Sequence, residues 1–493
     1  MDAARAASAR SRASITFPSP RAARPAPCAS SRCDEPCPAR GRPRPKGPPT
    51  MKRFILPLLA VAVWPGAAGA SPAVREATLP NGLRVLLAPD SLAPGVDVAV
   101  WYRAGVRWEP ARGSGLTHLL ERLMFEGSAN VGDGEHARRV RGEGGACNVT
   151  SGPDFSCFWQ TLPPSGLGLA LRLEADRMAS LRITAASLAR AKREAREDVR
   201  RAAEHSALGR ALSSLYAAAY PGHPYARPLR GLDAERDAVT LAAARAWWTE
   251  RYGPDGALLT VTGRFDPDSA LALARRTVGA VARRTAPPAR PLPPPQAEGE
   301  TRVTLRAETP TPLLVLGWRA PAGGDTARVA LRALARLYAG GPASRLMRGL
   351  QRPETPFLLA SDGTASLRRE GSLLYAVTLV RPGADTSAVE GAAFVEANRL
   401  AAEAPDAEDL ERARAEVELE LRAELETARG RAAQLGTAHF VAGDWREAER
   451  DLARITRLTA EDVRAMAARV FRPENAVVVW VHPSATVAQG GAR

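Results

Sequence analysis

The 493-residue chain has few cysteines to spend on metal or disulfide chemistry. Five are present, and Cys28, Cys33 and Cys37 fall in the first fifty residues. The remaining two, Cys147 and Cys157, match no zinc-binding cysteine spacing. They flank a turn-like Ser151-Gly152-Pro153-Asp154. In an oxidising compartment they could pair across a hairpin if the register put them on one face; otherwise they are two separate buried thiols. Beyond Ala70 no apolar run is long enough to span a bilayer. A basic patch interleaved with aromatics is also missing. The formal net charge of +15 is uneven: residues 1–70 hold twelve of the 68 basic residues and three of the 53 acidic ones. What remains is nearly balanced, so nucleic-acid binding has no electrostatic footprint.

What is present begins with a leader. Met51–Ala70, "MKRFILPLLAVAVWPGAAGA", has a basic start, a short apolar stretch and an Ala68-Gly69-Ala70 cleavage pattern. This is the form of a secretory signal peptide. Its position implies synthesis from Met51, with residues 1–50 a non-native or disordered extension. The mature chain is then exported, periplasmic or extracellular. The full sequence, 45% hydrophobic and 25% charged, has the composition of a globular protein and is long enough for more than one core.

Two stretches repeat one another. "TLAAARAWWTERYGPDGALLTV" from Thr240 matches "TAEDVRAMAARVFRPENAVVVW" from Thr459 in pattern. Thr240/Thr459, Tyr252/Phe471 and Pro254/Pro473 share one offset. Each reads as a capped helix, a proline turn and an apolar strand. Upstream, Val98–Ala104 resembles Leu314–Ala320. The expectation is two copies of one α+β fold, each with an antiparallel sheet, spanning 71–285 and 299–493. Between them residues 286–298, with "APPARPLPPPQ", read as a stiff proline-rich linker, giving a clamp.

The chemistry concentrates in "GLTHLLERLMFEG", Gly115–Gly127. Helical spacing puts His118, Glu121 and Arg122 on one face. A histidine at 122 would complete His-x-x-Glu-His, in which two imidazoles ligate zinc and the glutamate serves as general base. Arginine cannot take that place. It has no lone pair to offer, keeps its proton, and repels a divalent cation.

This stretch resembles the zinc helix of the M16 (insulinase/pitrilysin/mitochondrial processing peptidase) metallopeptidase family. So do "LPNGLRVLLAPDS" (Leu79–Ser91), "GGACNVTSGPDFSCFWQTLP" (Gly144–Pro163), "LEADRM" (Leu173–Met178), "YPGHPYARP" (Tyr220–Pro228) and "GGPASRL" (Gly340–Leu346). The likeness runs from about residue 76 to 482. It implies two tandem homologous M16-type domains, with His118 as first zinc ligand, Glu121 as general base and Arg122 at the lost second-ligand position. Counting back from "GRALSSLYAAAYPGHPY" puts Asp198, or alternatively Glu197, at the third ligand; Glu197 with Glu204 gives a further register. Asn148 matches a residue that helps hold substrate backbone; its plain reading is an edge-strand or turn polar residue. Arg345 sits where active members contact bound peptide, and His223 has a structural role. His136 and His205 are other histidines with nothing to place them near His118.

The resemblance therefore implies zinc as the cofactor, weakly held or absent. The expected function is a non-catalytic homologue that binds extended peptides or partners an active M16 subunit. The alternatives are an active zinc endopeptidase with an atypical site and a structural chaperone of the cell envelope. Arg122 is further expected to bridge Glu121 and Asp198, an organic cation standing in for the metal.

Overall fold

In this computed structural model the described residues are 73–287, 292, 299–352 and 355–484, excluding the side chains of 202–205 and 351–356. The expected extension, the leader and most of the linker (288–291 and 293–298) lie outside them. The described part falls within one compact unit that begins at Ala67.

The first half holds β1 (Arg75–Thr78), β2 (Arg84–Pro89), β3 (Val96–Tyr102), β4 (Ala146–Ser151), β5 (Ser156–Leu162) and β6 (Leu258–Gly263). They form one sheet in the order β1-β2-β6-β3-β5-β4. Its helices are α1 (Leu116–Leu123), α2 (Glu135–Gly142), α3 (Leu167–Ser180), α4 (Ala185–His205), α5 (Ala207–Ala219), α6 (Asp233–Ala238), α7 (Leu241–Arg251) and α8 (Pro267–Arg276). The second half holds β7 (Thr301–Ala307), β8 (Leu313–Ala320), a short β9/β10 ladder (Gln351–Arg352, Thr355–Pro356), β11 (Leu358–Ser366), β12 (Ser372–Val380) and β13 (Ala476–Pro483). Its main sheet runs β11-β12-β8-β13-β7. Helices α9 (Arg328–Ala339), α10 (Arg345–Leu350), α11 (Thr386–Ala402), α12 (Ala407–Leu425), α13 (Ala428–Thr437), α14 (Glu447–Ile455) and α15 (Ala460–Val470) accompany it.

The duplication is visible in the pairing. Removing β1 leaves β2-β6-β3-β5-β4, which matches β7-β13-β8-β12-β11 strand for strand. Both sheets are antiparallel except at one position, β2 beside β6 and β7 beside β13. The matched helices α7 and α15 start alike: the Thr240 and Thr459 hydroxyls accept from the backbone N–H groups of Ala243 and Asp462. Such caps satisfy donors that a helix start leaves unpaired.

Both central strands are mainly apolar and are buried except at Ala320, the last residue of β8, so both faces of each sheet need cover. On one face each half supplies its own helices. Leu119, Leu120 and Leu123 of α1 join Leu171 of α3 and Leu271 of α8 over the first sheet. On the other face the halves exchange. Ala211, Leu215 and Ala219 of α5 pack against Leu313, Val315, Val477 and Val479 of the second sheet. Reciprocally, Leu435 of α13, with Phe440 and Trp445, packs against Leu86, Ala99, Trp101 and Leu258 of the first. More than a linker therefore joins the halves. The fit is close at Gly436, where an added Cβ would run into the Trp101 ring.

The two cysteines are free. Cys147 opposes Gln160 across the hairpin and Cys157 opposes Thr150, so the side chains leave the sheet on opposite faces. Cys147 packs on the α1 side and Cys157 on the α13 side. Of the two alternatives read from the sequence, the structure gives separate thiols.

A charge also crosses this interface. Asp97 of β3 is fully buried, accepts from the Thr161 hydroxyl at 2.8 Å, and lies 3.8 Å from Arg429 of α13. Burial pushes its carboxyl up from 3.8 to about 6 against the pull of Arg429 and Thr161. The folded chain thus holds the proton more tightly than the unfolded chain. Its contribution is most favourable below the unfolded value and is lost as pH rises through the folded one. Thermal unfolding followed from pH 4 to pH 7 should lose about 2 to 3 kcal/mol through this group, and Asp97→Asn should abolish that slope; an identical slope in both proteins would contradict it. Gly436→Ala should cost about 1 to 3 kcal/mol in urea unfolding through overpacking against Trp101, and an unchanged midpoint would show that the α13 contact is slack.

Candidate functional site

Helix α1 carries the candidate site, and two carboxylates, Glu109 just upstream and Glu235 far downstream, hold its approach and start. Gly115 precedes it at φ 96, a conformation suited to glycine, and offers no side-chain cap. The buried Glu109 carboxylate accepts instead from the N–H of Gly115 at 3.1 Å and of Thr117 at 2.8 Å. Glu235 accepts from the N–H of Gly113 and Ser114 in the approach loop. Burial raises the Glu109 pKa despite those bonds. With its leucines against the sheet, α1 turns His118, Glu121 and Arg122 toward α4, which packs beside it.

The four polar groups divide into two pairs. His118 Nδ1 and Glu121 Oε2 are hydrogen-bonded at 3.1 Å. Arg122 spans two carboxylates one turn apart on α4: it donates to Glu194 Oε2 at 2.6 Å and, by its other terminal nitrogen, to Asp198 Oδ2. Arg201 donates to the second Asp198 oxygen at 2.8 Å. Burial raises the Asp198 carboxyl, but the charge and hydrogen bond of Arg122, with Arg201 behind them, hold it below its usual value. The expected bridge is therefore present in altered form. Arg122 reaches Asp198, yet its second carboxylate is Glu194, because Glu121 is taken by His118. Glu194 lay four residues before Asp198 on the same helical face, a spacing that could have singled it out.

The other expected residues scatter. Glu197 is exposed and paired with Arg200 at 2.7 Å, so of the two alternatives only Asp198 faces α1. Glu204 and His205 have side chains outside the described residues. His136 is buried edge-on to Phe125, and burial lowers its pKa to about 2. His223 Nδ1 accepts from the N–H of Tyr225 at 3.1 Å, a turn contact. Asn148 stands exposed on β4, the edge strand of the first sheet. Arg345 is held in the second half: its Nε donates to Asp409 at 2.7 Å, where Arg348 and Arg412 also converge.

The residues do not fit a zinc ion. His118 Nε2 is buried without a hydrogen-bond partner and lies 4.0 Å from Asp198 Oδ2, two donors that could face one metal. Structural and catalytic zinc sites use at least three protein ligands. Here the motif position of a further imidazole is an arginine, its guanidinium already bonded to Asp198. Among the described residues no group of three or more His, Cys, Asp or Glu side chains is placed to hold a metal ion. The second half shows a comparable junction built without a histidine: Arg336 of α9 reaches Glu420 of α12 at 3.2 Å and Asp362 of β11 at 3.3 Å. The α1–α4 contact has the α9–α12 chemistry, arginine against carboxylate.

Residues 84–233 match the family described as insulinase (peptidase family M16), and residues 238–417 match the one described as peptidase M16 inactive domain. An uncharacterized zinc protease of Mycobacterium tuberculosis is 28% identical over 430 residues, covering 85% of this chain and 96% of that relative. Among solved structures, the peptidase M16 inactive domain from Pseudomonas fluorescens has a TM-score of 0.76 at 19% identity, over 84% of this chain and 98% of that one. The first half of the periplasmic protease PqqL from Escherichia coli has a TM-score of 0.69 at 16% identity, over 85% and 94%. The chain belongs to the M16 metallopeptidase family, as two tandem M16-type domains with a degraded His-x-x-Glu-Arg motif.

Arg122→Gln should release Asp198 toward an ordinary carboxylate pKa. The stability lost is that present above the usual value of 3.8, and the deficit should narrow as pH falls through the lowered value. A carboxyl titration by NMR checks this; an unmoved Asp198 would show that Arg201 alone sustains it.

Proposed function

We propose that this chain is an exported, non-catalytic M16 homologue that binds extended peptides or serves as the partner subunit of an active M16 peptidase. The observation that carries the reading is the Arg122 guanidinium bonded to Asp198, at the motif position of a second imidazole. Glu121 would need a metal-bound water to act as general base. Paired instead with His118, it orients the imidazole.

Peptide binding draws support from β4. Its outer edge leaves backbone N–H and C=O groups unpaired within the sheet, and an extended chain can add there as a further strand. Asn148, matched by resemblance to a residue that holds substrate backbone, stands exposed on β4. Export draws support from the leader form of Met51–Ala70 and from likeness to a neighbour described as periplasmic. Within the described residues no helix is long and apolar enough to cross a membrane. The partner reading leans on the family habit of pairing a subunit that keeps its zinc site with one that has lost it. The second reading, an active zinc endopeptidase with an atypical site, keeps one specific observation: the unpartnered His118 Nε2 facing Asp198.

Zinc stoichiometry separates the two, measured on the protein from Ser71 onward beside Arg122→His. The expected result is no zinc in the native chain and close to one per chain in the variant. Near-stoichiometric zinc in the native chain, with peptide hydrolysis lost in Glu121→Gln, would overturn the proposal.

A further inference from the structure

A groove of about 560 Å³ lies on the first half, between α3, the turn after α1 and the end of α8. Its floor is apolar, with Leu169, Leu173 and Val281, and its rim carries Arg139, Arg172 and Arg276. Arg139 is paired with Glu135 at 2.9 Å. Arg172 and Arg276 are exposed, and among the described residues neither has an ion-pair or hydrogen-bond partner. Asp176, the carboxylate lining the groove, is spent on Ser128, Asn130 and Ser180, and those bonds hold its pKa down against burial. Two guanidinium groups over an aliphatic floor thus have no ion-pair partner among the described residues, and with Asp176 ionised the groove still carries a net positive charge.

We propose that this groove docks an acidic, leucine-bearing segment of a partner polypeptide, its aliphatic side chains on the floor and its carboxylates on Arg172 and Arg276. The charge argument selects this occupant. Guanidinium pairs carboxylate through two parallel N–H donors, and two unpaired cations call for two acidic groups. Apolar floors with a few polar groups on the rim are the usual build of a binding groove. The inference does not rest on the state of the His118 site, so its failure would leave the proposed function standing.

The test is fluorescence anisotropy of a labelled acetyl-Glu-Leu-Leu-Glu amide on the whole protein at low salt. Acetyl-Gln-Leu-Leu-Gln amide serves as the neutral control and oleate as competitor. Expected are at least tenfold tighter binding of the glutamate peptide, weakening as salt rises, and loss of that preference in Arg172→Ala/Arg276→Ala. The variant removes exposed, unpartnered side chains, and unchanged far-UV circular dichroism would verify its fold. Equal binding of the two peptides, or full binding by the double variant, would overturn the proposal. Oleate binding that the double variant loses, with no peptide binding, would assign the groove to a free fatty acid and overturn it equally.

Discussion

The structure depends on one constraint: the central strands of its two sheets are buried on both faces. All seven residues of β3 are buried, as are the first seven of the eight in β8. A sheet of that kind is stable only when both sides are removed from water. Each half has helices enough for one side. The chain meets the other demand by exchange, α5 covering the second sheet and α13 the first. Neither half is then complete alone, and the relative placement of the halves is set by packing. Asp97 and Arg429 lie inside that contact, so a charge is buried where the two copies meet.

The candidate site follows from a second, local constraint. Where α1 crosses α4, carboxylates face a half-buried junction and need a positive charge. A metal ion can supply it, and so can a guanidinium. Arg122 does so with Glu194 and Asp198, much as Arg336 does with Glu420 and Asp362 in the second half. Replacing one imidazole by arginine therefore leaves the contact satisfied while removing a ligand and adding an opposing charge. The packing of α1 on α4 needs no metal, because the guanidinium meets the same electrostatic need.

Much of the architecture was legible in the sequence. The shared offset of Thr240/Thr459 and Pro254/Pro473 announced two copies of one unit, and the strand orders agree with it. Helix α1 and the shared face of His118, Glu121 and Arg122 followed from spacing. Less legible was α4, whose sequence offers Glu194, Glu197, Asp198 and Glu204. Only packing decides which of these face α1; among the described side chains, Glu194 and Asp198 do. The cysteines show the same limit, since their fate turned on a register that places them on opposite faces.

By itself, the sequence determined the element types, their duplication and the loss of a second imidazole, because periodicity and side-chain chemistry are local properties. Tertiary structure decided the exchange of α5 and α13, the pairing of Arg122 with Glu194, and the hold of Glu235 on the loop that leads into α1. Each of these joins residues far apart along the chain, and the physical reason is common to all. A buried face, a buried charge and an unpaired backbone N–H each need a partner, and the chain's path through space determines which residue is near enough to provide it.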